Sequence, residues 1–266
     1  MLKDKVIVVT GGSDGIGKAL VAQLLLEGAR VATCGRSQEK LNALITSLNS
    51  QHLLALPCDV SDEGEAREFI EKTIAHYGKI DILVNNAGIS MRSPFNEVSL
   101  ETMRKVMAIN FFGAINCTRY AIQSIIDHQG SIVGISSIAG NRGLPGRSGY
   151  SASKFALQGW MEALRSELLD TGVNVLWVSP GFTKSNVRKA ALTKTTSAQG
   201  KSPLNEDKLM TPEECAALII RAIKKRKRTL VMTAQGKLTV FMNKFFPAWS
   251  DRLTRNFFYK NGVLVK

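Results

Sequence analysis

Short apolar runs alternate with amphipathic stretches along the whole chain. Val6–Thr10, Arg30–Cys34, Leu53–Pro57, Ile82–Asn85, Ser131–Ile135, Val173–Val178 and Leu230–Thr233 are brief, mostly apolar, and read as strands. Their apolar positions are nearly continuous rather than alternating, as expected of parallel strands buried on both faces. Between them the apolar residues take helical spacing, as in Lys18 to Gly28. Strand and helix in turn predict an α/β fold: one doubly wound parallel sheet with helices on both faces. No repeat or linker divides the chain, so residues 1–235 are expected to form one domain, with 236–266 an extension lacking a core of its own. The longest irregular stretch, Thr183 to Met210, is polar and contains Gly200 and Pro203. It ends at Thr211-Pro-Glu-Glu214, a capping box with Pro at the first helical position.

The first strand runs straight into Gly11-Gly-Ser-Asp-Gly-Ile-Gly17. Glycines here allow a tight turn, close approach of the backbone to a pyrophosphate, and a helix N-terminus facing the anion. Tyr150 and Lys154 stand four apart, on one face of a helix, with Ser137 thirteen positions upstream. A phenol alone is a weak base at neutral pH, since its pKa is about 10. A lysine on the same face stabilises the phenolate, and a serine hydroxyl can hold a carbonyl oxygen in line with it. This set suits proton transfer at an oxygen, the half of ketone reduction that a hydride donor does not perform.

These motifs resemble the short-chain dehydrogenase/reductase family, whose fold is Rossmann-like. Thr10-Gly-x-x-x-Gly-Ile-Gly17 matches its glycine loop, in which Gly11, Ser13, Asp14, Gly15, Ile16 and Gly17 are expected to border the cofactor. Asn85-Asn-Ala-Gly88 looks like the family's NNAG motif, placing Asn86, Ala87 and Gly88 beside the cofactor. Asn110 resembles the helix Asn that holds a water in the proton relay. Ser137, Tyr150 and Lys154 match the catalytic set. Pro180-Gly181 looks like the turn beside the nicotinamide, with Ser185 where the family usually has Thr. Asp59-Val60 resembles the adenine-contacting pair, and the 183–210 stretch the substrate loop.

The resemblance also implies a nicotinamide cofactor. NAD-preferring sites carry an acid near the end of the second strand. This chain has Gly35 there, followed by Arg36, with Lys40 one turn on. Arginine forks onto a phosphate, so NADP(H) is expected, although Asp14 stands where many NADP-linked relatives are basic.

Composition narrows the setting. The chain has 266 residues, 44% hydrophobic and 21% charged, a soluble globular balance. The first strand begins close to Met1, leaving no room for a signal peptide, and no apolar run reaches the ~18 residues a bilayer span needs. Cys34, Cys58, Cys117 and Cys215 lack metal-ligand spacing and read as small buried thiols, so no metal is expected and the setting reads as cytoplasmic.

Charge is uneven. The net is +13, and residues from Arg221 onward hold 12 basic and 1 acidic side chains. Lys224-Lys-Arg-Lys-Arg228 is followed by a stretch containing Phe241, Phe245, Phe246, Trp249, Phe257, Phe258 and Tyr259. Cations among large aromatics suit peripheral contact with an anionic membrane surface. They suit equally a helical cap on the substrate cleft or on a neighbouring subunit, and the family implies a homodimer or homotetramer. Nothing resembles a nucleic-acid groove reader. Stretches around the motifs are similar to 3-ketosphinganine reductases and to membrane-linked dehydrogenase/reductases, which implies a lipophilic ketone substrate. A reductase of small carbonyls, sugars or secondary alcohols, and a non-catalytic NADP-sensing scaffold, are the alternatives.

Overall fold

In the computed structural model, which describes residues 2–200 and 209–265, seven parallel strands form one sheet. They are β1 (Val6–Thr10), β2 (Arg30–Gly35), β3 (Leu53–Pro57), β4 (Ile82–Asn85), β5 (Ser131–Ile135), β6 (Asn174–Ser179) and β7 (Thr229–Val231). The order is β3-β2-β1-β4-β5-β6-β7. The expected α/β sheet is therefore present. Its last strand ends two residues earlier than the pattern predicts, because Thr233 adopts φ +60° and its hydroxyl accepts from Gly236 N–H to start a helix. Pro203, in the expected substrate loop, lies outside the described residues.

Helices cover both faces. On one, Leu20, Val21 and Leu24 of α1 (Gly15–Leu26) and Ile219, Ile220 and Ile223 of α7 (Pro212–Lys224) pack on Ile7, Val9 and Val31. On the other lie α3 (Glu63–Tyr77), α5 (Gly113–Asp127) and α6 (Ser148–Glu167). Their Phe69, Ile70, Cys117, Ala121, Leu157 and Met161 meet Val8, Ala32, Leu83 and Ile132. Successive strand residues thus feed opposite core layers, each fully buried aliphatic side chain contributing about 1.5–3 kcal/mol. The remaining helices are α2 (Gln38–Leu48), α4 (Leu100–Met107), α8 (Ala234–Phe245) and α9 (Pro247–Phe258). The capping box at Thr211 and Glu214 forms as its sequence predicts.

Chain direction across the sheet reverses between β1 and β4, and a crevice opens beyond their C-terminal ends. The glycine turn after β1 and the Asn86–Gly88 turn after β4 meet there.

The basic C-terminal region divides in two. Lys224 pairs with Glu27 at 2.6 Å, and Arg226 donates to the carbonyls of Gln129 and Gly172. That run precedes β7 and so lies at the N-terminal ends of the strands, away from the crevice. Helices α8 and α9 instead form a hairpin over the crevice. Arg142, after β5, holds both: Nη1 donates to Asn243 Oδ1 at 2.8 Å and Nη2 meets Asp251 at 2.5 Å. The chain then turns through Asn261-Gly262 into a small ribbon, β8 (Tyr259–Lys260) against β9 (Val263–Leu264), and Arg92 Nη2 donates to Leu264 O.

Candidate active site

One cleft of about 720 Å³ runs from the glycine turn to the α8–α9 hairpin. Every residue the sequence assigns to the cofactor, from Gly11 to Ser185, lines it, together with Ser137, Tyr150 and Lys154. Asn110 does not. It is buried behind the wall, in a five-residue π-turn (Ala108–Phe112) that joins α4 to α5.

The glycine turn is built to admit a backbone-hugging ligand. A Cβ on Gly17 would lie 2.2 Å from Gly11 O and 2.5 Å from Asn86 Nδ2, so only hydrogen fits. Asn86 Nδ2 donates to Thr10 O and Gly11 O, and the Thr10 hydroxyl accepts from Asn86 N and Ala87 N, both at 3.0 Å. These bonds fix the two turns together, with the N-terminus of α1 facing the space between them. An anionic dinucleotide fits this cradle.

Asp14 caps α1 and takes hydrogen bonds from Gly15 N (2.7 Å), Lys40 Nζ (3.0 Å) and Asn186 Nδ2 (3.0 and 3.2 Å). Burial pushes its carboxyl up, but Asn186, Lys40 and the Gly15 N–H together outweigh this and hold it below the usual carboxylate value. Lys40 thus neutralises Asp14 while also lining the cleft where its position implies a second phosphate contact. Arg36 reaches into the same end of the cleft, with Nη1 3.8 Å from Asp59 Oδ2. Cys34, Cys58, Cys117 and Cys215 are all buried and free, as expected.

Tyr150 and Lys154 lie on one face of α6 near its start, with Lys154 Nζ 5.8 Å from the Tyr150 ring centroid. Lys154 Nζ donates to Ile135 O at 2.8 Å, and burial brings its ammonium down to about 8. Burial raises the Tyr150 phenol. Hydrogen bonding with Ser137 and the charges of Arg147 and Arg188 offset only part of this, so the group remains above its ordinary value.

Ser137 stands at the end of β5, where its hydroxyl accepts from Ala139 N and starts a short turn, Ile138–Gly140. That turn presses on α6 closely enough that a Cβ on Gly140 would meet Ser136 Oγ at 2.5 Å and Lys154 O at 2.8 Å. Asn141 Nδ2 donates to Ser137 O and Ser179 Oγ, and Gln158 Nε2 to Ser136 Oγ, which hold the turn. Asn110 Nδ2 donates to Ile89 O and Ser153 Oγ, while its Oδ1 accepts from Ile89 N. A Cβ on Gly88 would lie 3.1 Å from Asn110 Oδ1 and 3.4 Å from Lys154 Nζ, so the two side chains flank the same backbone.

The sequence reading missed Asn141, Gln158, Asn186 and Arg147 as site residues. Gln158 repeats the four-residue spacing of Tyr150 and Lys154, and Arg147 stands one turn before Tyr150. Asn141 reaches Ser179 across 38 residues and Asn186 reaches Asp14 across 172, contacts that leave no local signal.

A family model described as short chain dehydrogenase matches residues 5–196. The chain belongs to the short-chain dehydrogenase family. A curated relative from Xenopus tropicalis, "Dehydrogenase/reductase SDR family member 7B", is 34% identical over 92% of this chain and 83% of its own. A Drosophila melanogaster relative, "Dehydrogenase/reductase SDR family protein 7-like", is 31% identical over 93% of this chain and 78% of its own. A short-chain dehydrogenase from Streptomyces avermitilis superposes with TM-score 0.81 at 26% identity, covering 96% of this chain and 97% of that one. A Burkholderia phymatum short chain dehydrogenase/reductase in complex with NAD has the same fold, with TM-score 0.82 at 20% identity over 93% and 95%. As a member of this family the chain is an oxidoreductase with a nicotinamide dinucleotide cofactor.

Proposed function

We propose that this short-chain dehydrogenase is an NADPH-linked carbonyl reductase acting on a lipophilic ketone. The observation that carries the reading is the continuity of one cleft from the glycine turn, past Tyr150, to Leu238, Met242 and Leu253 of the α8–α9 hairpin. NADPH over NADH is supported by Arg36 at the adenine end, with Gly35 where an acid would repel a 2′-phosphate. A solved alcohol dehydrogenase from Thermococcus sibiricus, complexed with 5-hydroxy-NADP, shares the fold with TM-score 0.75 at 24% identity, covering 86% of this chain and 95% of that one.

A reduced nicotinamide supplies hydride when bound in the cleft. Ser137 and Tyr150 hold the carbonyl oxygen, and the phenol, kept protonated by burial, gives it the proton. The Lys154 ammonium stabilises the phenolate left behind. Asn110 acts as a positioning residue, fixing the Ile89 backbone and Ser153 beside Lys154.

Because Lys154 must be charged to support the phenolate, and its ammonium titrates at about 8, reduction loses this help as pH rises. Reductive kcat/KM is expected to fall as pH rises through about 8. A reductive profile flat from about pH 6.5 to about 9.5 would remove Lys154 from this role.

Helices α8 and α9 also support peripheral contact with an anionic membrane. Leu238, Phe241, Phe245, Phe246, Trp249 and Leu253 are each more than half exposed. Lys237, Lys244, Arg252 and Arg255 stand among them, while the single acid, Asp251, is taken by Arg142. Among the described residues no helix is long and apolar enough to cross a membrane.

The experiment is NADPH oxidation by purified protein with long-chain ketones, 3-ketosphinganine included, in anionic vesicles, beside short-chain ketones and NADH. Turnover of at least one long-chain ketone with NADPH preferred, and salt-sensitive co-flotation with the vesicles, is the expected result. Turnover confined to short, polar carbonyls, with no flotation, would favour a reductase whose exposed helical face joins another subunit.

A further inference from the structure

The charges lining the cleft are sorted by sign. Its only carboxylates among the described residues, Asp14 and Asp59, sit at the adenine end beside Lys40 and Arg36. The end holding Tyr150 is lined by Lys154, Arg147 and Arg188 and by no acid among the described residues.

Arg147 is the unusual member. It stands at the start of α6, three residues before Tyr150, and is only 7% exposed. Among the described residues its guanidinium makes no ion pair and no hydrogen bond, and Nε is buried without a partner. Its guanidinium carbon lies 5.9 Å from the centroid of the Phe258 ring. Arg188, 5% exposed, donates through Nη2 to Thr183 O at 2.7 Å. Arg92 lies on the far side, donating to Leu264 O, with its own Nε unpartnered. Burial, then the neighbouring charges of Arg188 and Arg92, press the Arg147 guanidinium below its ordinary value, while Tyr150 opposes them.

Buried charges in folded proteins are paired, because leaving one unpaired costs several kcal/mol. A buried guanidinium that lines a cleft, with no partner among the described residues, gains its counter-charge when a ligand brings it. Arginine presents a planar fork that matches phosphate and carboxylate oxygens.

We propose that the ketone taken by this cleft carries an anionic group, phosphate or carboxylate, near its carbonyl, and that Arg147 seats it, with its apolar chain along Leu238, Met242 and Leu253. This rests on the reading of the cleft as that of a lipophilic-ketone reductase. It disfavours a long-chain keto base, whose ammonium would face Arg147. The substrate is an anionic amphiphile, recognised by charge beside the carbonyl and by apolar surface farther out.

Binding tests this without turnover. Dodecyl phosphate, dodecanoate, dodecanol and dodecylamine are titrated calorimetrically into NADP-saturated protein, below micelle-forming concentrations. One of the two anions is expected to bind at least about tenfold tighter than the alcohol and the amine, and the better one identifies the group. Arg147→Gln should erase that advantage, while Lys244→Gln, which removes an exposed charge, should keep it. An advantage that persists in Arg147→Gln, or dodecylamine binding as well as the anions, would overturn the proposal. If Arg147→Gln does not bind NADP, Arg147→Lys decides: a reduced advantage supports the fork, and an unchanged one overturns it. Failure of the reductase reading is seen separately, as absence of NADPH oxidation with long-chain ketones of any charge.

Discussion

Replacing Tyr150 by Phe is expected to lower kcat for ketone reduction by about 10³-fold while leaving NADPH affinity within about twofold of the parent. The substitution removes one oxygen from a half-buried ring and almost no volume. What disappears is the proton donor and the partner of Ser137. Loss of one hydroxyl is a small part of the fold's stability, about 1 kcal/mol, so the protein should remain folded. Stopped-flow NADPH fluorescence separates the two effects, since binding appears as enhancement and chemistry as decay. Decay at more than about a tenth of the parental rate would mean that another group, or water, supplies the proton.

Gly17→Ala should weaken cofactor binding strongly. The new methyl would stand 2.2 Å from Gly11 O and 2.5 Å from Asn86 Nδ2. The first is backbone, so the turn itself must move, and the Asn86 bonds to Thr10 O and Gly11 O move with it. Overpacking of this kind costs about 1–3 kcal/mol in stability. Misplacing the donors that face the pyrophosphate should weaken NADPH binding by about 100-fold, since nearly all of that recognition is positional. Gly143→Ala is the control, because nothing lies within 4 Å of its added Cβ. Fluorescence titration and denaturant melts measure both. A Gly17→Ala protein that binds NADPH within about threefold of the parent would show that the turn is looser than its packing implies.

What could be read from the sequence was what local chemistry writes there. The strands of the sheet are continuous apolar runs, the glycine turn lies between its strand and helix, and Tyr150 and Lys154 are tied by helical spacing. Ser137 was placed only through family spacing, and the structure brings it to Tyr150 because Gly140 lets the turn press onto α6. Lys40 reads as a phosphate contact because its position one turn past Arg36 is visible and its bond to Asp14, across 26 residues, is not. The basic C-terminal region reads as one block by composition. It divides because Lys224 and Arg226 engage groups at the N-terminal ends of the strands, whereas α8 and α9 cross to the other end. Nor does sequence reveal a missing counter-ion: Arg147 is an ordinary arginine until its surroundings are known.

The hydrogen bonds between Asn186 and Asp14 have a kinetic meaning. They fasten the segment after β6 across the mouth of the phosphate cradle, 172 residues away in the chain. The α8–α9 hairpin borders the opposite end of the same cleft. Dinucleotide and ketone therefore have separate doors, and only one of them is strapped. Release of a bound dinucleotide past this segment would break both hydrogen bonds, whereas release of a ketone past the hairpin would break neither.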